Sequence, residues 1–396
     1  MSRLWEKGLP LDERVLRYTA GEDHLLDARL VQYDVRGSIA HAEMLAAQQL
    51  ISEEDCVAIR DGLNALEKSF TAGDWQIALA DEDVHTALES RLTQDIGPAG
   101  ARLHLGRSRN DQVLTALRLY LRDAATDLGK RVGKLQDSIG ALAERQGDVV
   151  LPGYTHMQHA MPSSVALWCG GYDEAFGDAI CGLQAAERRI RKNPLGSAAG
   201  YGTPGLPLDR ELTTKKLGFD STQSPVTAAQ LSRGKAESGL IFEITLLLQD
   251  LGRMASDLLL FYTQEFAYVT LADDATTGSS IMPQKRNPDV LELLRASSAT
   301  AQACLDETLM ITAKLPSGYQ RDLQRLKSPL FRAIDLAVDS VDIMAWLLDG
   351  LRFVPEQIQL DEGIFATAEA YRIVTEDGIP FREAYRQVAE RYAKKF

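Results

Sequence analysis

The chain has few cysteines, and none of them are close together. Cys56, Cys169, Cys181 and Cys304 include no Cys-x-x-Cys pair, which argues against a disulfide frame or a zinc site and for reduced thiols in the cytosol. Basic residues are outnumbered, 43 Lys and Arg against 56 Asp and Glu, for a net charge of −13. A nucleic-acid binder normally presents a basic face, so no nucleic-acid partner is expected. No long hydrophobic run is present. The greasiest stretch, residues 240–262, is interrupted by Glu243, Gln249, Asp250, Arg253 and Asp257, so it reads as a core helix and no membrane association is expected. The N-terminus carries no apolar secretory segment. Strands do not alternate with helices, which excludes a doubly wound sheet. What remains is an ordinary soluble composition, 45% apolar and 25% charged, in 396 residues. That length is enough for two or three domains or one elongated one.

Residues 110–147 contain no proline, and Val113, Leu117, Leu121, Val132, Leu135, Ile139 and Leu142 recur at helical spacing. Similar patterns cover residues 163–192, 228–271, 288–315 and 328–351. Five helices of this length, each with an apolar stripe, predict an all-α fold built as a long-helix bundle. In the third pattern apolar residues fall on several faces, which points to oligomerisation through the bundle. Ser52 ahead of Glu53, Glu54 and Asp55 reads as a capped helix start. Residues 193–207 are rich in Gly and Pro and interrupt the helices as a turn excursion or a mobile loop. The organisation expected is a mostly helical domain over 1–106, a central long-helix domain with its polar loop over 107–353, and a short helical domain over 354–396.

Four polar segments stand out. Residues 81–86, Asp-Glu-Asp-Val-His-Thr, fit an acidic helix start with a solvated histidine. Residues 106–111, Gly-Arg-Ser-Arg-Asn-Asp, precede the longest helix. Asn110 or Asp111 can cap it, and the arginines can reinforce an anion site at its N-terminus. Residues 152–159 place His156 and His159 in a turn that suits a general acid or a carboxylate clamp. Residues 278–289, Gly-Ser-Ser-Ile-Met-Pro-Gln-Lys-Arg-Asn-Pro-Asp, combine hydroxyls, free N–H groups, two cations and an amide ahead of a helix that Pro288 can start. Each alone also fits an ordinary cap or loop. Together they put local positive charge into an acidic protein, as a small polyanion requires.

The spelling of residues 278–289 closely resembles the signature loop of the fumarate lyase/aspartase superfamily. Gln284 before Lys285, with Pro288 and Asp289 after Asn287, resembles the argininosuccinate lyases in particular. All four segments occur in that family's order. Trp5, residues 34–38 and residues 315–327 extend the likeness over nearly the whole chain. The resemblance implies a five-helix bundle forming a twenty-helix core in a homotetramer, with each active site shared among subunits. It also implies a cytoplasmic enzyme of arginine biosynthesis that needs no metal or organic cofactor. The reaction implied is β-elimination of argininosuccinate to arginine and fumarate. By the same resemblance Ser279 is the general base, His156 serves proton delivery to the leaving nitrogen, and Glu292 is the partner of Lys285. Thr155, Lys285 and Asn287 hold the fumarate-side carboxylates. Ser108, Arg109, Asn110, Tyr319, Gln324 and Lys327 bind the rest of the substrate, with Asp27, His85 and Gln158 as further candidates. The alternatives are another fumarate-releasing lyase, such as adenylosuccinate lyase, or a catalytically silent crystallin-like protein.

Three departures accompany the likeness. Residues 200–202, Gly-Tyr-Gly, and residues 18–23 differ from the usual family spelling, so a modified argininosuccinate is conceivable as substrate. The chain also ends at Phe396, where typical members continue through several more helices, so either a naturally shortened C-terminal domain or a truncated chain is expected.

Overall fold

The computed structural model describes residues 12–393, and Trp5 lies outside the described residues. Among these, five helices exceed twenty residues: Arg109–Gln146, Val165–Ile190, Lys235–Phe261, Asp289–Thr312 and Lys327–Gly350. They match the five periodic patterns, and four of them agree to within a few residues at each end. The third does not. Residues 228–271 were expected to be one helix, but a short helix Thr227–Leu231 precedes a break at residues 232–234. Gly234 adopts φ +78°, and a Cβ there would stand 2.2 Å from the Thr312 side chain. The left-handed backbone and the close neighbour both require glycine, and they overrule an apolar pattern that runs through the break. The long helix also stops at Phe261, and Val269–Thr270 pairs as a strand with Arg352–Phe353.

The chain divides into two compact units. One comprises the residues up to Leu128 with Gly182–Thr245 and Ala301–Asp335; the other comprises Gly129–Cys181, Leu246–Thr300 and the residues from Leu336 on. Each long helix contributes a segment to each unit. In the first unit Leu114, Leu117, Leu121, Leu240, Ile241, Ile244 and Phe331 are buried. Arg118 is buried among them and donates to the carbonyls of Arg189 and Lys192 and to the side chains of Gln223 and Ser232. It thereby satisfies the ends of several elements with one side chain. In the second unit Trp168, Phe261 and Phe353 pack edge to face or tilted, and Trp168 and Tyr172 both donate to Asp257. Two small helices, Ala366–Asp377 and Phe381–Ala393, close the described chain.

The Gly/Pro-rich stretch is a firmly hydrogen-bonded turn series. Asn193 donates to Thr213 and Thr214 and accepts from the Leu195 N–H, while the Ser197 carbonyl accepts from Gly200 and Gly202.

His41, in the helix Val31–Ala47, is fully buried, with its Nε2 2.9 Å from the Leu105 carbonyl oxygen. Burial, with Arg107 close by, depresses its pKa to about 3. The unfolded chain therefore binds a proton here near pH 6.5 that the folded chain refuses, and stability falls as pH drops from there towards 3. His41→Gln should flatten this acid limb by up to about 1.4 kcal/mol per pH unit. Urea unfolding midpoints near neutral pH and near pH 5 check it; equal acid sensitivity of both proteins counts against the assignment.

Candidate active site

The first unit gathers one set of the expected site residues. The helix Val84–Ile96 is capped by Asp83, whose carboxylate accepts from the Thr86 N–H at 2.9 Å. This places His85 in the first turn. The histidine is buried, where the sequence pattern had fitted a solvated one. Its Nδ1 lies 3.1 Å from Asp34. Burial alone would depress the imidazolium, but the charges of Asp34, Asp83 and Asp27 outweigh it and raise the pKa. Asp34 is fixed in turn by the Gln112 amide at 2.9 Å and 3.1 Å.

Beside it, the Lys327 ammonium is enclosed by Asp27 at 2.6 Å and Asp23 at 2.9 Å. Burial would lower the Lys327 pKa, yet the two carboxylates raise it. Asp23 is pushed up to about 6 by burial, against the pull of Lys327. Arg109 reaches Asp83 at 3.4 Å, Glu82 at 3.7 Å and the Thr86 hydroxyl. Gln324 donates to the carbonyls of Thr19 and Ala20 at 2.7 Å and 3.2 Å. Of these, Asp23, His85, Arg109, Gln324 and Lys327 line a small cleft, together with Tyr319, Arg233 and Arg321.

The expected cap of the longest helix moves by two or three residues. Ser108, not Asn110 or Asp111, takes the cap position. Its hydroxyl accepts from the Asn110 N–H at 3.3 Å, and Asp111 reaches back to the Ser108 N–H at 2.9 Å. The other Asp111 oxygen accepts from Gly196 and Ala198. The helix start is thereby tied to the 193–207 turns, and Ser108 and Asn110 remain half-buried at the edge.

The second unit holds the other expected residues. Val150–Thr155 and Gln158–Ser164 form an antiparallel hairpin, with Thr155 opposite Gln158. Its two-residue tip is His156 and Met157, at φ +53° and +61°. Two left-handed residues in a two-residue tip are the mark of a type I′ turn, which normally takes Asn or Gly. Non-glycine residues there store strain of about 1–3 kcal/mol each, a feature concentrated at functional sites. Gly153 permits the strand's close approach, since a Cβ would stand 2.9 Å from the Met161 carbonyl oxygen. The tip presents Thr155, His156 and Gln158 to the outside.

In the same unit Thr277–Gly278 pairs with Arg286–Asn287, closing residues 279–285 into a loop. The N–H groups of Met282 and Ile281 point at the Ser279 Oγ, at 3.1 Å and 3.4 Å. Asp289 binds the Thr277 hydroxyl and begins the following helix, with the Pro288 carbonyl accepting the first helical N–H groups. Asn287 is half-buried and Lys285 exposed. Glu292 is exposed one turn into the helix, and no ion pair between it and Lys285 is formed among the described residues. Nor is any group of three or more His, Cys, Asp or Glu placed to hold a metal ion among them. No helix is long and apolar enough to cross a membrane among the described residues.

This geometry can be set beside known proteins. Residues 13–303 match the lyase family. The argininosuccinate lyase of Sorangium cellulosum is 43% identical over 393 residues, covering 99% of this chain and 91% of its own. That of Thermotoga neapolitana is 40% identical, covering 99% of each. The chain belongs to the argininosuccinate lyase family. Among solved structures, EDDS lyase in complex with formate superposes with a TM-score of 0.81 at 26% identity, over 97% of this chain and 76% of that one. Class II fumarase of Schistosoma mansoni has a TM-score of 0.78 at 19% identity, covering 96% and 93%, which establishes the long-helix fold. The family places this chain among carbon–nitrogen lyases, and the all-α long-helix expectation holds.

Sequence reasoning missed Asp23, Arg233 and Arg321 as cleft residues. Arg233 lies buried in the break at residues 232–234, which the apolar pattern carried through as continuous helix.

Proposed function

We propose that this chain splits argininosuccinate reversibly into L-arginine and fumarate, as a step of arginine biosynthesis. The observation that carries the proposal is identity of 40–43% with curated argininosuccinate lyases along nearly the whole chain. The reaction breaks a C–H bond next to a carboxylate and a C–N bond one carbon away. A carbon–carbon double bond forms between the two carbons. The proton passes to a base, and the leaving guanidino nitrogen takes another. The dianionic aci-carboxylate between the two events needs fixed donors.

Ser279 is the base in this reading. Its oxygen faces two N–H groups that would stabilise the alkoxide a serine base requires. Thr155, Lys285 and Asn287 hold the carboxylates of the fumarate half, His156 delivers the proton to the leaving nitrogen, and Glu292 supports Lys285. Arg109, Tyr319, Gln324 and Lys327 line the cleft for the other half, Ser108 and Asn110 bind it from the helix start beside Arg109, and Asp27 and His85 stiffen it through their buried ion pairs. Sites assembled from several subunits of a homotetramer agree with the exposure of Phe242, Leu293, Leu309 and Met310 on the long helices. Four free cysteines agree with a cytoplasmic setting.

The test offers argininosuccinate and adenylosuccinate separately to the purified chain and follows fumarate by ultraviolet absorbance. Release from argininosuccinate alone is expected. Release from adenylosuccinate instead assigns the sister activity, and no release from either by a folded protein indicates a silent, crystallin-like descendant.

A further inference from the structure

His159 is the second histidine of the 152–159 segment, and the lyase reading gives it no role. In the hairpin it stands opposite Tyr154, one pair behind Thr155 and Gln158. The two side chains meet across the strands. The Tyr154 hydroxyl lies 2.9 Å from the His159 Nε2, and the rings sit edge to face with centroids 4.9 Å apart. A cross-strand pair of this kind holds the two strands together at the base of the turn. On its other side the Tyr154 hydroxyl lies 3.4 Å from the Tyr268 hydroxyl. Tyr268 is a fixed point. It is 3% exposed, its N–H donates to the Phe261 carbonyl, and its own carbonyl accepts from the Val354 N–H. The Phe266 ring packs against both tyrosines. Burial, with Tyr268 adding to it, raises the Tyr154 pKa, so the phenol keeps its proton and serves as a donor. With Tyr268 donating to Tyr154 and Tyr154 donating to the His159 Nε2, both hydroxyl contacts are satisfied.

This chain of contacts runs from the core to the part of the hairpin that needs support. His156 and Met157 hold φ +53° and +61° without glycine, a backbone that persists only where its surroundings over-determine it. Both residues are exposed, and the Gln158 amide bond to the Met157 carbonyl is local to the tip. We propose that Tyr154 and His159 are positioning residues for the lyase reaction, clamping the strained hairpin tip to Tyr268 so that His156 is presented in one orientation. The inference rests on the lyase reading above and adds to it two residues that act through His156. Thr155 stays paired with Gln158 in the strands, so the clamp governs proton delivery more than affinity.

The experiment uses Tyr154→Phe, which keeps the ring and removes the hydroxyl, and His159→Phe, which keeps an aromatic ring at an exposed position and removes the acceptor. Each should lower fumarate release by about 10–100-fold through kcat, with KM and β-proton exchange within about twofold of native. His159→Gln places an amide near the position of Nε2 and should recover part of the rate. In a His156→Asn background, Tyr154→Phe should cost less than about threefold, because the two changes act through one group. Amide hydrogen exchange by mass spectrometry supplies a readout that needs no turnover: residues 155–160 should exchange about tenfold faster in Tyr154→Phe and His159→Phe than in the native protein. Unchanged exchange at the tip in either folded variant overturns the proposal. So does a full additional loss in the His156→Asn background, or an equal fall of β-proton exchange and release. A native protein that releases no fumarate removes the assigned reaction instead, and the amide exchange then decides the hold on the tip by itself.

Discussion

Ser279→Ala should lower turnover of argininosuccinate by about 10³–10⁴-fold while changing substrate affinity little, the pattern of a group that acts in the transition state. The loop explains why the hydroxyl is suited to this. A serine is a weak base unless its alkoxide is held, and here the Met282 and Ile281 N–H groups already point at the Ser279 oxygen. The strand pair Thr277–Gly278 with Arg286–Asn287 fixes the loop's two ends, so alanine should leave the backbone in place. Exchange of the substrate's β-proton with solvent is the discriminating measurement, with affinity taken by calorimetry. Near-normal exchange in Ser279→Ala would remove serine as the base. A combined loss of affinity and rate would show that the hydroxyl holds the ground-state carboxylate. Lys285 serves both states in this reading, so its removal should cost binding and rate together and provides the contrast.

The rods of this fold are legible because a helical apolar stripe is a local signal with many repeats. The helix Lys327–Gly350 was read one residue late at each end, and Arg109–Gln146 likewise. Residues 278–289 were legible as a polar loop ahead of a helix, because that signal is one contiguous string. The surroundings of the other polar residues were not legible where burial decides them. His85 looks like a solvated helix residue until Asp34, fifty-one positions earlier, is folded against it. Lys327 looks like a free cation until Asp23 and Asp27 close on it from three hundred positions away. Arg233 belongs to the same class. It lies in the helix break beside Gly234, which has φ +78° and packs close to Thr312, and no local period encodes such a tertiary contact.

His156→Asn tests the other half of the proton transfer, and the turn geometry makes it a clean substitution. His156 sits at φ +53° in the hairpin tip, a conformation that asparagine tolerates better than most residues. The variant should therefore keep the hairpin and lose only the imidazole. Turnover should fall by about 10²–10³-fold, the usual worth of a positioned general acid. If His156 acts at the leaving nitrogen, carbanion formation precedes its step, so β-proton exchange should survive in His156→Asn when fumarate release is nearly abolished. Ser279→Ala should lose both. Added imidazole should recover part of the His156→Asn rate and none of the Ser279→Ala rate, because a small base can enter an opened space but cannot replace an alkoxide held by the loop. Loss of exchange in both variants would place His156 at the proton abstraction itself. His156→Val provides the structural control. A β-branched residue resists left-handed φ, so it should disturb the hairpin and lower thermal stability, which His156→Asn should leave close to native.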